Sequence, residues 1–397
     1  MIRIRTITYH IPAQLDREVR HRIRKCRDLF ASVPYEVHTQ RVCCTPVTEL
    51  NERFVAEVAA FCEGEGIRWF NLPVDLWQAG SITNRDITHV LNKYKSAFVN
   101  VICAREGRIR SEIVDFAARQ FIGNAAIDPD GLINFRFGAS MNIQPNSPFF
   151  PFAYSGGELS FSIGLEIAEE INQVLSEHAG LRDLNRLREV ITQTLEPQIA
   201  QIEALAQRIS EESGLIYHGM DFSLAPLPKE NNSVISILNA LGVSRIDDTG
   251  VLFVTAFLTQ LLKAFAHRYK SVGFSGVMYS LIEDHLYAQS NNQHGFSIDR
   301  MIALSTMCGC GVDMVPVPFD APVRALRTIL LETACVSSRL KKPLGVRLLP
   351  VKSDDGFTHF TMEEDFCINT KIVPLDSQSD IQFDDVFSFE VQSLLEN

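Results

Sequence analysis

Several things are scarce in this 397-residue chain, and each scarcity narrows its possible roles. No run approaches the ~18 consecutive apolar residues that a membrane-spanning helix needs. The most apolar stretch, 251–265, carries Lys263 and runs into His267-Arg268, so it reads as a buried helix. There is no G-x-x-x-x-G-K-[ST] and no G-x-G-x-x-G after a strand, so P-loop and dinucleotide readings lack their phosphate cradle. Neither a G-x-S-x-G elbow nor an H-E-x-x-H helix occurs. Although nine cysteines are present, no second cysteine or histidine pair completes a zinc set, and no metal is assigned. No motif identifies a cofactor. Beyond Gly356 there is no further glycine at all.

What is present is an ordinary globular composition, 46% hydrophobic and 21% charged, which excludes a disordered chain. The formal charge is −11, which argues against nucleic-acid binding, since that runs on Lys and Arg neutralising phosphates. The sign is uneven. Residues 1–30 hold eight bases and three acids, whereas 354–397 hold eleven acids and one base, Lys371. The acidity is therefore largely a property of the tail. The cysteine count is odd and the spacings irregular. The opening residues alternate like a strand rather than reading as a signal peptide. A reduced cytoplasmic setting, away from membranes, is the expectation.

Strand and helix periods alternate along the chain. Strand-like segments fall at 2–10, 35–44, 67–72, 98–103, 132–143, 159–165, 215–224, 276–282, 314–317 and 344–351. Helical segments fall at 13–33, 49–63, 84–95, 112–122, 233–241, 250–267, 298–307 and 321–340. A long polar helical region, 166–213, is broken by Gly180 and Pro197. Its apolar positions recur at three and four, so one stripe packs while the rest faces water. Apolar strands between helices predict an α/β protein with parallel strands covered by helices. The domain expectation is one α/β body over 1–353, with 166–213 inserted as a helical hairpin. An acidic segment, 354–397, packs on that body or trails from it.

Four segments carry reactive residue types. Between a helix and a short strand, 307–318 places Cys308, Cys310 and Asp313 in a glycine-loosened turn. Such a turn can supply the exposure and lowered pKa that thiol chemistry needs. Equally, the two cysteines can be small residues packed under a helix end. Strand 215–224 puts Asp221 and Ser223 on one face and His218 on the other, as either site residues or a strand-end cap. Glu283-Asp284-His285 follows an apolar strand. Paired carboxylates can share a proton, but adjacent residues seldom point the same way, and a solvated loop is the alternative. Arg41, near Thr45-Pro46, could clamp a substrate carboxylate or form a structural ion pair. The Pro/Phe-rich stretch 144–157 looks like a lid or wall.

Read in order, these segments resemble the uncharacterised bacterial and archaeal family called domain of unknown function 711. The resemblance is carried by 3–8, Arg41-Val42…Thr45-Pro46, Asp221-Phe222-Ser223-Leu224-Ala225-Pro226-Leu227-Pro228, Phe274-Ser275-Gly276, Glu283-Asp284 and Cys308…Gly311-Val312-Asp313-Met314…Pro318. It implies an α/β barrel of the pyruvate formate-lyase-like type, about ten-stranded, with a loop entering its centre. It also implies a possible small ACT-type amino-acid-sensing partner. Glycyl radical enzymes of that fold keep a glycine motif in the C-terminal region, and the glycine-free tail rules such a radical out. Two departures stand out. An acidic tail replaces the family's Gly-rich ending, and Asp248-Thr249-Gly250-Val251 stands where a Thr-His-Gly-Thr turn is usual.

Two functional expectations follow. One is an enzyme acting on a small carboxylate-bearing metabolite, with Cys308 as reactive thiol and Asp221 or Glu283 moving the proton. Arg41, Thr45, Ser223 and Asp313 would bind the substrate. The other is a non-catalytic metabolite-binding or regulatory protein that pairs with a second copy through the 166–213 helices.

Overall fold

The structure, a computed structural model, describes residues 1–78, 80–361, 366–375 and 387–394. Among the described residues there are eleven strands and eleven α-helices. The strands are β1 (Arg3–His10), β2 (Val37–Cys43), β3 (Trp69–Val74), β4 (Ala97–Arg105), β5 (Arg108–Arg110), β6 (Phe137–Met141), β7 (Ser160–Glu166), β8 (Ile216–Asp221), β9 (Gly311–Pro318), β10 (Leu344–Val351) and β11 (Ser388–Glu390). The helices are α1 (Arg17–Ala31), α2 (Glu52–Gly64), α3 (Asn84–Lys93), α4 (Ser111–Ile127), α5 (Ala168–Glu177), α6 (Leu184–Ser213), α7 (Val234–Ala240), α8 (Val251–Arg268), α9 (His285–His294), α10 (Ile298–Ser305) and α11 (Val323–Arg339).

The chain is a mixed α/β protein, as its alternating periods predict. One sheet runs β8-β7-β1-β2-β3-β4-β6-β10-β9, with β5 paired to the end of β4 and β11 to β5 off this path. Strands β1, β2, β3, β4 and β6 run one way. β7, β8, β9 and β10 run the other, so the sheet is three parallel blocks, β8-β7, β1-β2-β3-β4-β6 and β10-β9, joined antiparallel at β1/β7 and β6/β10. The hydrogen-bonded ladder is not closed between β8 and β9. Residues 276–282, expected as a strand, make isolated bridges instead, Leu224 with Val277 and Ser280 with Asp313.

The 144–157 stretch, expected as a lid or wall, forms a wall from within, its Phe149, Phe150 and Phe152 lining an internal cavity. It lies against the inner face of the sheet, and buried polar side chains of the strands satisfy its carbonyls. Thr8 Oγ1 donates to the Pro148 carbonyl at 2.8 Å. Asn71 and Asn100 both donate to the carbonyls of Pro151 and Ala153. Glycine makes the room: a Cβ on Gly345 would sit 2.4 Å from the Phe152 ring, and one on Gly138 2.8 Å from it. The polar residues within β1, β3 and β4 are thus partners of this segment, and the sheet curves around it.

Three local expectations change. Residues 132–143 are not one extended run; a 3₁₀ turn covers Leu132–Arg136 before β6. Pro197 does not break 166–213, because α6 continues through it as a 30-residue helix, and only the Gly180 region interrupts. Its stripe of Leu187, Ile191, Leu195, Ile199 and Ile202 is buried within the chain, with α1 and β8 as packing partners. The stripe is therefore used internally rather than left open. Much of the acidic tail lies outside the described residues. Its described parts bond to the body through Val373 N to the Pro316 carbonyl, Ile368 N to the Ile282 carbonyl, and β11 on β5.

His10 closes the inner face of β1. It is fully buried, its Nε2 lies 2.8 Å from Ser162 Oγ, and burial, with nearby His218 adding, pushes its pKa down to about 3. A histidine neutral in the fold but protonated near 6.5 when unfolded stabilises fully above that value. The contribution is lost as pH falls from 6.5 towards 3, by up to about 1.4 kcal/mol per pH unit. Urea unfolding at pH 7.5 and 5.0 should show a smaller acid loss for His10→Gln than for the unsubstituted chain. Equal losses would show that His10 is not held neutral.

Candidate functional site

Five charged residues from distant parts of the chain meet at a cavity on the inner face of the sheet: Arg5, Arg41, Glu283, Asp313 and Arg347. Irregularities in the strands aim two groups of them. The β1/β7 register slips between Ile4 and Thr6, leaving Arg5 as an extra residue. The β9/β10 register slips between Val346 and Leu348, where Asp313 and Met314 oppose Arg347, and Met314 takes a left-handed φ of 53°. Such bulges re-aim side chains that regular alternation would place elsewhere.

Arg347 is the centre of a buried ion cluster. Its Nε lies 2.5 Å from Asp313 Oδ1, and its Nη2 lies 2.7 Å from Asp313 Oδ2 and 2.8 Å from Glu283 Oε2. Ser280 Oγ donates to Glu283 Oε2 at 2.5 Å. Burial works against the charge on Arg347, but Asp313 and Glu283 outweigh it and hold the guanidinium protonated. The two carboxyls are pushed apart. Burial opposes ionisation of Glu283, yet Arg347, Ser280 and Arg5 together keep it below the usual range. For Asp313 burial prevails over Arg347, and the neighbouring Glu283 charge adds to it, so its pKa is raised. Two carboxyls whose surroundings shift them in opposite directions thus stand side by side, an arrangement suited to proton transfer.

Arg5 and Arg41 differ from Arg347 in having no acidic side chain within ion-pair distance among the described residues. Arg5 donates to the Ala225 carbonyl at 3.3 Å, and Arg41 Nε to Thr39 Oγ1 at 3.1 Å, with its guanidinium 5.3 Å from the Phe150 ring centre. Burial, reinforced by Arg5, pushes Arg41 down to about 9; burial also lowers Arg5. Two partly buried cations, each disfavouring the other, form a site that an anion would stabilise.

The cysteines divide. Cys310 lines the cavity, and its sulfur accepts from Tyr279 N at 3.2 Å. Cys308 is buried behind it and does not line the cavity. A hydrogen bond from Cys310 holds the Cys308 thiol down to about 6 against burial, with Lys342 helping, and the same bond raises Cys310.

Asp221, Ser223 and Thr45 fall outside this cavity. Asp221 is fully buried and accepts from Ser223 N, Ser223 Oγ, Phe274 N and Ser275 N, tying the end of β8 to the 273–276 turn. Ser223 Oγ in turn accepts from Gly276 N. Thr45 sits in the loop after β2, 4.0 Å from where a Cβ on Gly157 would lie. Glu283-Asp284 is not a solvated loop: Glu283 faces the cavity, while buried Asp284 caps α9 and bonds Ser233 Oγ and Val234 N. Arg5 and Arg347 were missed as site residues. For Arg347 the available signal was a lone charge in an otherwise apolar strand, Val346-Arg347-Leu348; for Arg5, in a strand that also carries Arg3, Thr6, Thr8 and His10, there was none.

Residues 3–356 match the family model described as "Uncharacterised ACR (DUF711)". The chain belongs to this family. All five charged cavity residues lie inside the DUF711 match, and most of the acidic tail lies beyond it. Similar proteins include a UPF0210 protein of Pyrobaculum aerophilum, 30% identical over 224 residues, 54% of this chain and 49% of the relative. A UPF0210 protein of Thermoanaerobacter sp. is 22% identical over 374 residues, covering 88% and 81%. One from Methanopyrus kandleri is 27% identical over 235 residues, covering 57% and 51%. The chain thus spans about half the length of the first and last of these DUF711-like relatives. Among the described residues no helix is long and apolar enough to cross a membrane.

Proposed function

We propose that this chain binds a small carboxylate-bearing metabolite at the Arg5/Arg41 cavity and moves a proton on it, without a glycyl radical. The observation that carries the reading is the pair of partly buried guanidiniums, Arg5 and Arg41, with no acidic side chain within ion-pair distance among the described residues, facing the same cavity as the carboxyls of Glu283 and Asp313, which are shifted in opposite directions. A carboxylate between Arg5 and Arg41 relieves their repulsion and replaces lost water, and planar guanidiniums match it in bidentate geometry. Glu283 is then the base, Asp313 the acid, and Arg347 holds both in place. Cys310 replaces Cys308 as the thiol that faces the ligand, with Cys308 as its proton partner.

The same reading treats the sheet as a ten-stranded barrel, with 271–280 as the closing strand. Supporting it, Met220 bridges Ser271, Leu224 bridges Val277 and Ser280 bridges Asp313, all in parallel sense, which spans the gap between β8 and β9. The 144–157 segment would then be the loop at its centre.

Calorimetry with acetate, pyruvate and succinate tests the anion site. Arg5→Gln and Arg41→Gln should each weaken binding at least tenfold, and affinities unchanged in both variants would sink the reading. Deuterium uptake from D2O into pyruvate, followed by NMR, tests the chemistry. Uptake should vanish in Glu283→Gln. Binding without uptake in the unsubstituted chain would favour the non-catalytic metabolite-binding role.

A further inference from the structure

The cavity has two chambers. The inner one holds about 70 Å³ and contains Cys310, Asp313 and Arg347. The outer one holds about 690 Å³ and opens towards solvent over Trp69, Phe98, Phe135 and Phe366. Arg5 and Arg41 border both, as do Phe98, Phe135 and Glu283, so the guanidiniums stand at the neck between them.

Size decides which end of a ligand goes where. A single water needs roughly 10–15 Å³, so the inner chamber takes about five such positions, enough for a carboxylate and one or two carbons. A cavity of about 150 Å³ is what holds a benzene ring, so a ring does not fit there. The outer chamber is within the range of small-molecule sites, about 300–1,000 Å³. Its wall is a connected aromatic surface: Trp69 meets Phe98 edge-on at 5.2 Å, and Phe98 meets Phe135 at 5.7 Å. Arg68 stacks 4.4 Å from the Trp69 ring centre and 4.9 Å from that of Phe366, which fixes those rings in place.

Arg347 is already committed to Glu283 and Asp313, which leaves Arg5 and Arg41 for one anionic group at the neck. The outer wall carries both signs, Arg68 and Lys229 with Glu36 and Glu283, so its aromatic surface and not its charge selects what lies there.

We propose that the ligand is a carboxylic acid with an aromatic or apolar body, its carboxylate at the Arg5/Arg41 neck and its body on the Trp69–Phe98–Phe135 wall. This rests on the anion-site reading above and adds the ligand class. Body and head make separable contributions: the neck sets charge selectivity, and the wall sets the preference for a ring.

Tryptophan fluorescence can read the wall directly. Of the two tryptophans, Trp77 lies away from this cavity, its indole donating to the Ile102 carbonyl at 2.8 Å. In Trp77→Phe, Trp69 is the sole reporter. Phenylacetate and 3-phenylpropionate should bind at least tenfold tighter than acetate and should change Trp69 emission. Trp69→Leu should bring the ratio of aryl-acid to acetate affinity, both measured in that variant, to within about threefold of one. Arg41→Gln should weaken all three acids. Calorimetry on the unsubstituted chain gives the same affinity order should Trp77→Phe fail to fold. If acetate and the aryl acids bind equally, or inorganic phosphate binds tighter than either, the ligand class is overturned while the anion site stands. If none of the probes binds, both fail.

Discussion

Arg347→Ala is expected to lose about 3–5 kcal/mol of unfolding free energy at pH 7.5, the usual cost of leaving buried carboxylates without their cation. Arg347 is 4% exposed and is the only cation within ion-pair distance of Asp313 and Glu283 among the described residues. Its removal also leaves the Phe135 carbonyl without a donor it now has at 3.4 Å. The pH dependence separates this from simple loss of packing. With Arg347 present, Glu283 has a lowered folded pKa, so its contribution is held above the unfolded value and lost as pH falls. Without Arg347, burial governs both carboxyls and raises them, so the variant is penalised most where they should be ionised. The gap between the two proteins should therefore narrow from pH 7.5 to 5.0. Urea unfolding at both values is the measurement, and a loss below 1 kcal/mol at pH 7.5 would contradict the cluster. Adding Glu283→Gln and Asp313→Asn to the variant should restore part of the stability, because the orphaned charges are then gone.

Asp221→Ala is the second large effect, about 3–5 kcal/mol, and it is expected in stability rather than in chemistry. Four donors converge on this carboxyl at 2.6–3.0 Å, three of them backbone N–H groups. Each buried donor left unpaired costs about 1–3 kcal/mol. No cavity water can replace the carboxyl easily, since the 273–276 turn packs directly against it: a Cβ on Gly273 would lie 2.2 Å from Asp221 Oδ2. Asp221→Asn should be milder, because one oxygen still accepts, although its amide N–H₂ faces donors. The comparison is decisive in both directions. If Asp221→Ala unfolds within 1 kcal/mol of the unsubstituted chain yet loses deuterium exchange, Asp221 belongs to the reacting groups and its role as an anchor is wrong.

The two residues illustrate what each level of structure contributes. Asp221 advertised itself through a distinctive local motif, Asp-x-Ser-Leu-Ala-Pro, but only its bonds from Ser223 are local; Phe274 and Ser275, whose N–H groups it also accepts from, lie 53 and 54 positions away. Arg347 drew no notice in Val346-Arg347-Leu348, because nothing within that strand reveals what the charge faces. Glu283 could be picked out as a reactive type, but whether it pointed to solvent or inward depended on the bridges of 276–282, which no periodicity encodes. Cys308 and Cys310 share a short turn, and only packing against Tyr279 and Lys342 distinguishes the one that lines the cavity from the one behind it.

By itself the sequence determined the α/β class, the order of most strands and helices, and the family, since these depend on side-chain spacing within single elements. It also placed the acidity in a tail that follows the body. The tertiary structure alone decided the site. The central block of strands and the β10-β9 pair antiparallel to it bring Arg5 and Arg347, 342 positions apart, to one cavity, and bulges at Arg5 and at Asp313-Met314 turn the charges inward. That the 144–157 segment walls the cavity from inside the sheet, its carbonyls held by strand side chains, was likewise a matter of tertiary structure. The physical reason is the same throughout. Periodicity reports which face of an element is apolar, whereas a binding site is made by polar groups whose partners are remote in sequence.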